Sequence, residues 1–404
     1  MHIYLLAIFY ISFFSLLEAI GIDNRVRVYA IISIFFILLY IAGLKYETGV
    51  DWYLYGQIMD HVKPINTIFE DIKSGYYKND LDIGYIVFIS TIKALGGDLQ
   101  IVFFCISLFT LTTLIKYCSR YTPNVITAVL LYYATIFFVL DMSGVRQCIA
   151  VNIFLIAIKY IPEKKPLKYL ITVLIAATFH WSAFFLIPTY FILNKTYSSK
   201  SVSIFFVIEV CIFFFKIKWL KSFLELFFPL ITNKKLMEKA FVYTSAVTYA
   251  SFRDLNIVAI GNILFYTLMI IFLIRNRTVL QMKFKYFNVF FNIFLCNIFI
   301  FFCTSELLDI SSRIQYYFLL SNMILLSYIS FLFKRRIERI AVTSVIIFYA
   351  IGYSKPYVFE SSFTIAYHPY QNYLVYKLFD KKSTGRSRLE LHQKIHVKEG
   401  LIQD

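Results

Sequence analysis

Charge is what this sequence has least of for its length. Only 16% of its 404 residues are charged, against about 25% in soluble chains, too few to clothe a soluble surface of that size. Prolines and glycines are also scarce, 8 and 13, and no low-complexity tract or soluble domain interrupts the pattern. The six cysteines (Cys105, Cys118, Cys148, Cys211, Cys296 and Cys303) lie in or beside apolar segments, without CxxC or metal-finger spacing. They read as small core residues. There is no Walker A loop, no GxGxxG after a strand, no HExxH and no GxSxG, so ATP-driven transport by this chain alone is excluded. Acidic residues inside apolar runs are few, Glu209 being the clearest, which argues against a proton or sodium relay.

What fills the space is hydrophobic: 59% of the residues, 20% aromatic, with a mean hydropathy of +0.69. Long, closely spaced apolar runs exclude intrinsic disorder and nucleic-acid-binding domains. Crossing a bilayer takes around 20 mainly apolar residues. Candidate runs are 3–20, 28–44, 99–116, 125–141, 145–161, 202–218, 255–274, 286–303, 313–333 and 338–353, with 167–193 broken by His180-Trp181. Ile3 to Ile20 lacks a basic n-region and a small-residue cleavage site, so it is expected to be the first span. The fold expected is all-α, a polytopic integral membrane protein of about twelve transmembrane helices. Some would be re-entrant or half-length, around an outward-facing cavity. Residues 1–380 would form one multi-span domain with outer loops at about 45–83 and 219–254. The tail 381–404 is polar and basic and reads as disordered.

The net charge of +16 suggests an anionic partner until its position is read. It clusters in short loops: Arg25/Arg27, Lys116/Arg120, Lys159 to Lys168, Lys195/Lys200, Arg275 to Lys285 and Lys334 to Arg339. That is the pattern of cytoplasmic loops under the positive-inside rule, and no nucleic-acid partner is implied. Segments 45–83, 141–145, 219–254, 304–312 and 354–370 then fall outside. Gly84 to Leu95 is too short for a span and reads as a re-entrant or interfacial helix ended by Gly96-Gly97. Lys168 and Lys195 both belong to the cytoplasm, so the chain between them goes out and returns. Half of it as helix rises only about 20 Å, which leaves the tip His180-Trp181-Ser182 below the headgroups. An imidazole there is costly unless hydrated or paired.

The segment 45–83 is acidic, and its aromatics, including Trp52, Tyr53, Tyr55, Tyr76 and Tyr77, suit either an interfacial belt or sugar binding. In Asp141-Met142-Ser143-Gly144-Val145-Arg146-Gln147, Gly144 permits a tight turn and Ser143 can cap the helix that follows. Free N–H groups, the positive helix end and a guanidinium make a phosphate site there. The bland reading pairs Arg146 with Asp141 or lets it snorkel. Arg313 repeats the situation after the expected cap Ser311-Ser312, with Tyr316 and Tyr317 on the same turn. Two outer arginines at helix starts suit a departing pyrophosphate, and Arg253 is a third candidate. His180 reads as a general base, a phosphate donor or a satisfied structural histidine. Tyr367-His368-Pro369-Tyr370-Gln371-Asn372-Tyr373 reads as an interfacial anchor or one wall of the site.

In order along the chain stand Gly49-Val50-Asp51-Trp52-x-x-Tyr55, Asp82-x-Gly84-Tyr85 and Ser143-Gly144-x-Arg146-Gln147-x-x-Ala150. Phe179-His180-Trp181-Ser182-Ala183, Ser312-Arg313-x-x-x-Tyr317-Phe318 and Pro369-Tyr370-x-Asn372-Tyr373 follow. This series resembles the EpsG family of Wzy-type polymerases, which build O-antigen, capsule and exopolysaccharide. Asp82 departs from the family's more frequent glutamate but keeps the carboxylate. The resemblance implies an inner-membrane glycosyltransferase acting at the periplasmic face without nucleotide sugar, cofactor or metal. Its substrates would be undecaprenyl-pyrophosphate-linked oligosaccharides, and a flippase and chain-length regulator of the same pathway are candidate partners. On this reading Arg146 and Arg313 meet the pyrophosphate, with Arg253 as an extra cation. His180 or Asp51 is the base. Trp52, Tyr55, Asp82, Ser143, Gln147, Trp181, Tyr317, His368 and Tyr370 bind or position substrate. An O-antigen ligase and a lipid-linked oligosaccharide flippase are the alternatives.

Overall fold

The computed structural model describes residues 2–74, 82–226, 252–253, 255–359 and 362–398. Tyr76, Tyr77, Asp80 and the greater part of the expected outer loop 219–254 lie outside these. Among the described residues the chain is helical, its one β-pairing being an isolated bridge between Lys45 and Asn372. The helices are α1 (His2–Ile20), α2 (Asn24–Gly43), α3 (Trp52–His61), α4 (Ile65–Ser74), α5 (Ile83–Ala94) and α6 (Leu99–Tyr121). Next come α7 (Val125–Leu140), with a π-helical stretch over Tyr133–Phe137, α8 (Val145–Ile158) and α9 (Pro166–Phe179). A 3-10 turn, Trp181–Leu186, leads to α10 (Thr189–Leu193), α11 (Ser199–Phe214) and α12 (Leu220–Glu225). The rest are α13 (Ile257–Arg275), α14 (Arg277–Lys283), α15 (Phe287–Cys303), α16 (Leu308–Leu332), α17 (Arg336–Val358), α18 (Tyr373–Leu378) and α19 (Gly385–Lys398).

Five of these, α1, α2, α6, α16 and α17, are long and apolar enough to cross a bilayer. A sixth is added if α13 and α14, bent by 72°, count as one span. Helices α5, α7, α8, α9 and α15 are apolar but only 10–17 residues long. Among the described residues, full-length helices alone therefore do not reach the expected dozen, because several apolar runs are broken into shorter pieces. The reading of α5 as a short helix ended at Gly96-Gly97 matches the structure. So does the hairpin. Near the start of α9, Tyr169 OH donates to Leu186 O and pairs with Thr189 Oγ1, both at 2.8 Å, so the chain has turned back within that distance.

The chain forms two compact units. The first contains residues 1–157, 171–184 and 323–404. In it α1 packs on α2, α7 and α17, and α2 packs on α6. Buried Glu18 accepts the N–H groups of Ile126 (3.2 Å) and Thr127 (3.1 Å), meeting donors that the first turn of α7 cannot bond within the helix. Thr122 and Asn124, just before α7, bond Ser327 and Ser330 of α16. Such contacts matter because lipid offers helices little hydrophobic drive to associate. The second unit contains 158–170 and 185–322. Its core is aromatic, with Phe213, Tyr266, Phe301 and Phe302 meeting at the junction of α11, α13 and α15. Asn292 Nδ2 donates to Leu193 O (2.9 Å) and Lys195 O (2.6 Å), holding the end of α10 to α15.

Candidate functional site

Residues 44–51 leave α2 and run against residues 366–373. Tyr46 N–H donates to Gln371 O (2.9 Å), Gly49 N–H to Ala366 O (3.0 Å) and Tyr373 N–H to Leu44 O (2.8 Å). Gly49 bends the loop with φ +102°, and a Cβ there would stand 2.4 Å from Met142 O. Only glycine makes this approach to the turn that joins α7 to α8. Val50 N–H then donates to Ser143 Oγ (3.0 Å), and that hydroxyl also pairs with Tyr367 OH (2.8 Å). Asp51, half-buried, occupies the cap position of α3, ahead of Trp52 and Tyr55.

Beneath the loop, the turn is held by buried polar groups. Asp141 accepts from Tyr132 OH and from Thr110 Oγ1, the latter at 2.9 Å. Thr110 lies roughly 16 Å along α6 from Leu99, so this carboxylate is deep in the unit. Lys45, 2% exposed, donates from Nζ to Asp141 O (2.7 Å) and Met142 O (2.8 Å) and lies 4.5 Å from the Phe103 ring centroid. Burial pushes its ammonium down to about 7, against the opposing pull of Asp141, Cys148 and Asp51. A lysine directly beyond an apolar run is a signal of the same kind as the one that marked Arg146. Sequence reasoning gave Lys45 no role.

The bland alternative, Arg146 paired with Asp141, is not what the structure shows. Helix α8 starts at Val145 as expected, but Arg146 in its first turn pairs with Asp82, Nη1 to Oδ2 at 3.5 Å. The two side chains are 23% and 15% exposed. Tyr55 is buried beside the same guanidinium. Burial and the Asp51 charge push its phenol up, with Arg146 opposing. Tyr85, which sequence reasoning placed in a motif but gave no role, stands edge-on to Tyr55 at 5.8 Å. Its buried hydroxyl has no hydrogen-bond partner among the described residues. Gln147 is buried one residue beyond Arg146.

Gly84 joins a further element to this group. A Cβ on it would meet Thr178 Oγ1 at 2.3 Å, so the first turn of α5 lies against the last turn of α9. Just beyond that turn His180 is 5% exposed, with Nδ1 2.6 Å from Ser182 Oγ and its ring stacked on Trp181 at 6.4 Å. Trp181 is open to the surface. On the other flank, His368 Nε2 lies 2.7 Å from Tyr357 O, and Tyr370 OH donates to Tyr40 O at 2.9 Å. Both rings stand edge-on to Tyr4. These two side chains pin the 366–373 wall to α1, α2 and α17.

Arg253, Arg313 and Tyr317 belong to the second unit. Arg313 was expected to open a helix capped by Ser311-Ser312. Instead α16 begins at Leu308, Arg313 Nε donates to Asp309 Oδ2 at 2.9 Å, and Ser312 Oγ turns back to Leu308 O. The polar Leu308–Ser312 stretch is helical because those side chains bond within the helix or to Thr304. Arg253 lies over the Phe301 ring, 4.3 Å from its centroid, and Tyr317 is fully buried.

The first unit thus gathers Asp51, Tyr55, Asp82, Tyr85, Ser143 and Arg146 around one helix start. That set can hold an oxyanion on the guanidinium at the positive end of α8 while two carboxylates accept from hydroxyls. The EpsG family model matches residues 28–372, a stretch that contains every one of them. The chain belongs to the EpsG family. Members of the EpsG family are Wzy-like polysaccharide polymerases, and the helices described above make this one a multi-pass membrane protein. No curated protein and no solved structure matches the chain.

Proposed function

We propose that this EpsG-family protein joins undecaprenyl-pyrophosphate-linked oligosaccharide repeat units at the periplasmic face of the inner membrane, releasing undecaprenyl pyrophosphate. The observation that carries this reading is Arg146, half-buried at the start of α8 and flanked by Asp82 and Tyr55. In the reaction, a hydroxyl oxygen of one lipid-linked unit attacks the anomeric carbon of the growing chain. The bond from that carbon to the pyrophosphate oxygen breaks, and its electron pair leaves with the diphosphate. The hydroxyl proton passes to Asp51 or His180. Arg146 and the positive end of its helix neutralise charge as it develops on the leaving group. Asp82, Trp52, Tyr55, Ser143, Gln147 and Trp181 are assigned to sugar and phosphate positioning, and His368 and Tyr370 to the wall behind it.

Deletion of the gene followed by gel display of lipopolysaccharide tests the reading. A polymerase deletion leaves core bearing a single repeat unit. Core with no repeat would point to a ligase or flippase instead, and altered chain length alone to a structural subunit.

A further inference from the structure

The tail after residue 380, expected to be disordered, contains α19, and that helix is tied to the loop that carries Asp51. Arg388 is 7% exposed. Its Nη2 donates to Glu47 O (2.9 Å), and its Nη1 donates to Pro369 O (2.9 Å) and Ala366 O (3.3 Å). One guanidinium therefore bridges the 44–51 loop and the 366–373 wall. The neighbouring contacts agree. Ser383 Oγ donates to the Glu47 carboxylate and accepts from the Gln371 amide nitrogen at 2.9 Å. Glu47 itself has φ 44°, a left-handed backbone that is strained for an L-residue and persists only where its surroundings hold it. Its carbonyl and its carboxylate are both gripped from the C-terminal segment. Ala366 O, besides Arg388, accepts the Gly49 N–H, so the same carbonyl serves the clamp and the loop.

A guanidinium suits this task because its rigid fork presents several donors to separate acceptors. An ammonium on a flexible stem cannot span both loops with fixed geometry. The charge is spent on backbone carbonyls, which fixes chain positions rather than neutralising a side chain. Helix α19 also lies beyond residues 28–372, the part of the chain that the family model matches.

We propose that Arg388 is a positioning residue: α19 clamps Glu47 through it, and so sets the place of Asp51 at the head of α3. The consequence for chemistry rests on the polymerase reading; the clamp itself does not. The test uses full-length protein in nanodiscs and in the deletion strain, comparing Arg388→Met, Arg388→Lys and the exposed control Lys394→Met. Hydrogen exchange reads the clamp directly. In Arg388→Met the amides of Tyr46 and Gly49 exchange at least about tenfold faster, with α6 and α7 unchanged. Polymer made at equal protein level falls about tenfold to a hundredfold, as for a reacting group displaced by an ångström or so. Arg388→Lys recovers only part of both, and Lys394→Met behaves as wild type. Unchanged exchange at Tyr46 and Gly49 overturns the clamp. Faster exchange with undiminished polymer overturns its role in positioning the site. If wild type makes no polymer the functional reading fails, while the exchange arm still decides whether the clamp exists.

Discussion

Replacing Gly49 by alanine tests the junction on which the site depends. A Cβ at this position would lie 2.4 Å from Met142 O and 3.1 Å from Ser143 Oγ. Ordinary contact needs about 3.4 Å, so loop and turn must part by about 1 Å, a shift that at a reacting centre costs on the order of a hundredfold in rate. The φ of +102° adds backbone strain of about 1–2 kcal/mol for an L-residue. Part of that is relieved by movement of the loop, which pulls Val50 N–H from Ser143 Oγ and shifts Asp51, the next residue. Gly49→Ala should therefore reach the membrane in normal or modestly reduced amount yet make about a hundredfold less polymer. Gly261→Ala is the control. Nothing lies within 4 Å of a Cβ there, inside helix α13, so it should be silent in activity and stabilise by about 0.5–1 kcal/mol. The assay is the polysaccharide ladder in the deletion strain, normalised to protein by immunoblot. Full-length chains at wild-type level from Gly49→Ala would refute the close packing of loop on turn.

Two further outcomes follow from the buried charges. Lys45, pushed down to about 7, carries its charge below that pH and loses it above, so the cation beside Asp141 and Asp51 disappears in mild alkali. Polymerisation by purified protein should decline as pH rises through 7 to 9, and Lys45→Arg, which stays charged, should remove that limb; a limb unchanged by the substitution would contradict the assignment. Asp82 acts through Arg146, so Asp82→Ala should cost activity alone but add less than about 0.5 kcal/mol on top of Arg146→Ala. Additive losses would mean that the pair at 3.5 Å is not a functional unit.

Local features of this chain were legible in its sequence. Apolar length gave the spans of α1, α2 and α6; the Gly96-Gly97 pair gave the end of α5; the lysines flanking 167–193 gave the hairpin. Ser143-Gly144 marked the start of α8. Partner choice was not legible, because it depends on contacts between distant residues. Arg146 takes Asp82 rather than the nearby Asp141, whose carboxylate is already bonded by Tyr132 and Thr110. Helix α16 starts earlier than its polar first turn suggested, since Asp309 and Arg313 bond one turn apart. The tail looked disordered because it is polar, yet Arg388 finds its acceptors in carbonyls as far away as Glu47. No local pattern encodes such a contact.

The central claim is that Arg146 stabilises a departing diphosphate while sugar chains grow. The most direct measurement reconstitutes the purified protein with lipid-pyrophosphate-linked repeat units and counts polyprenyl pyrophosphate released against glycosidic bonds formed. Wild type should release one pyrophosphate carrier per bond, and Arg146→Ala should lose about a hundredfold to a thousandfold of both together. Bond formation undiminished in Arg146→Ala, or chain growth without release of the carrier, would contradict it.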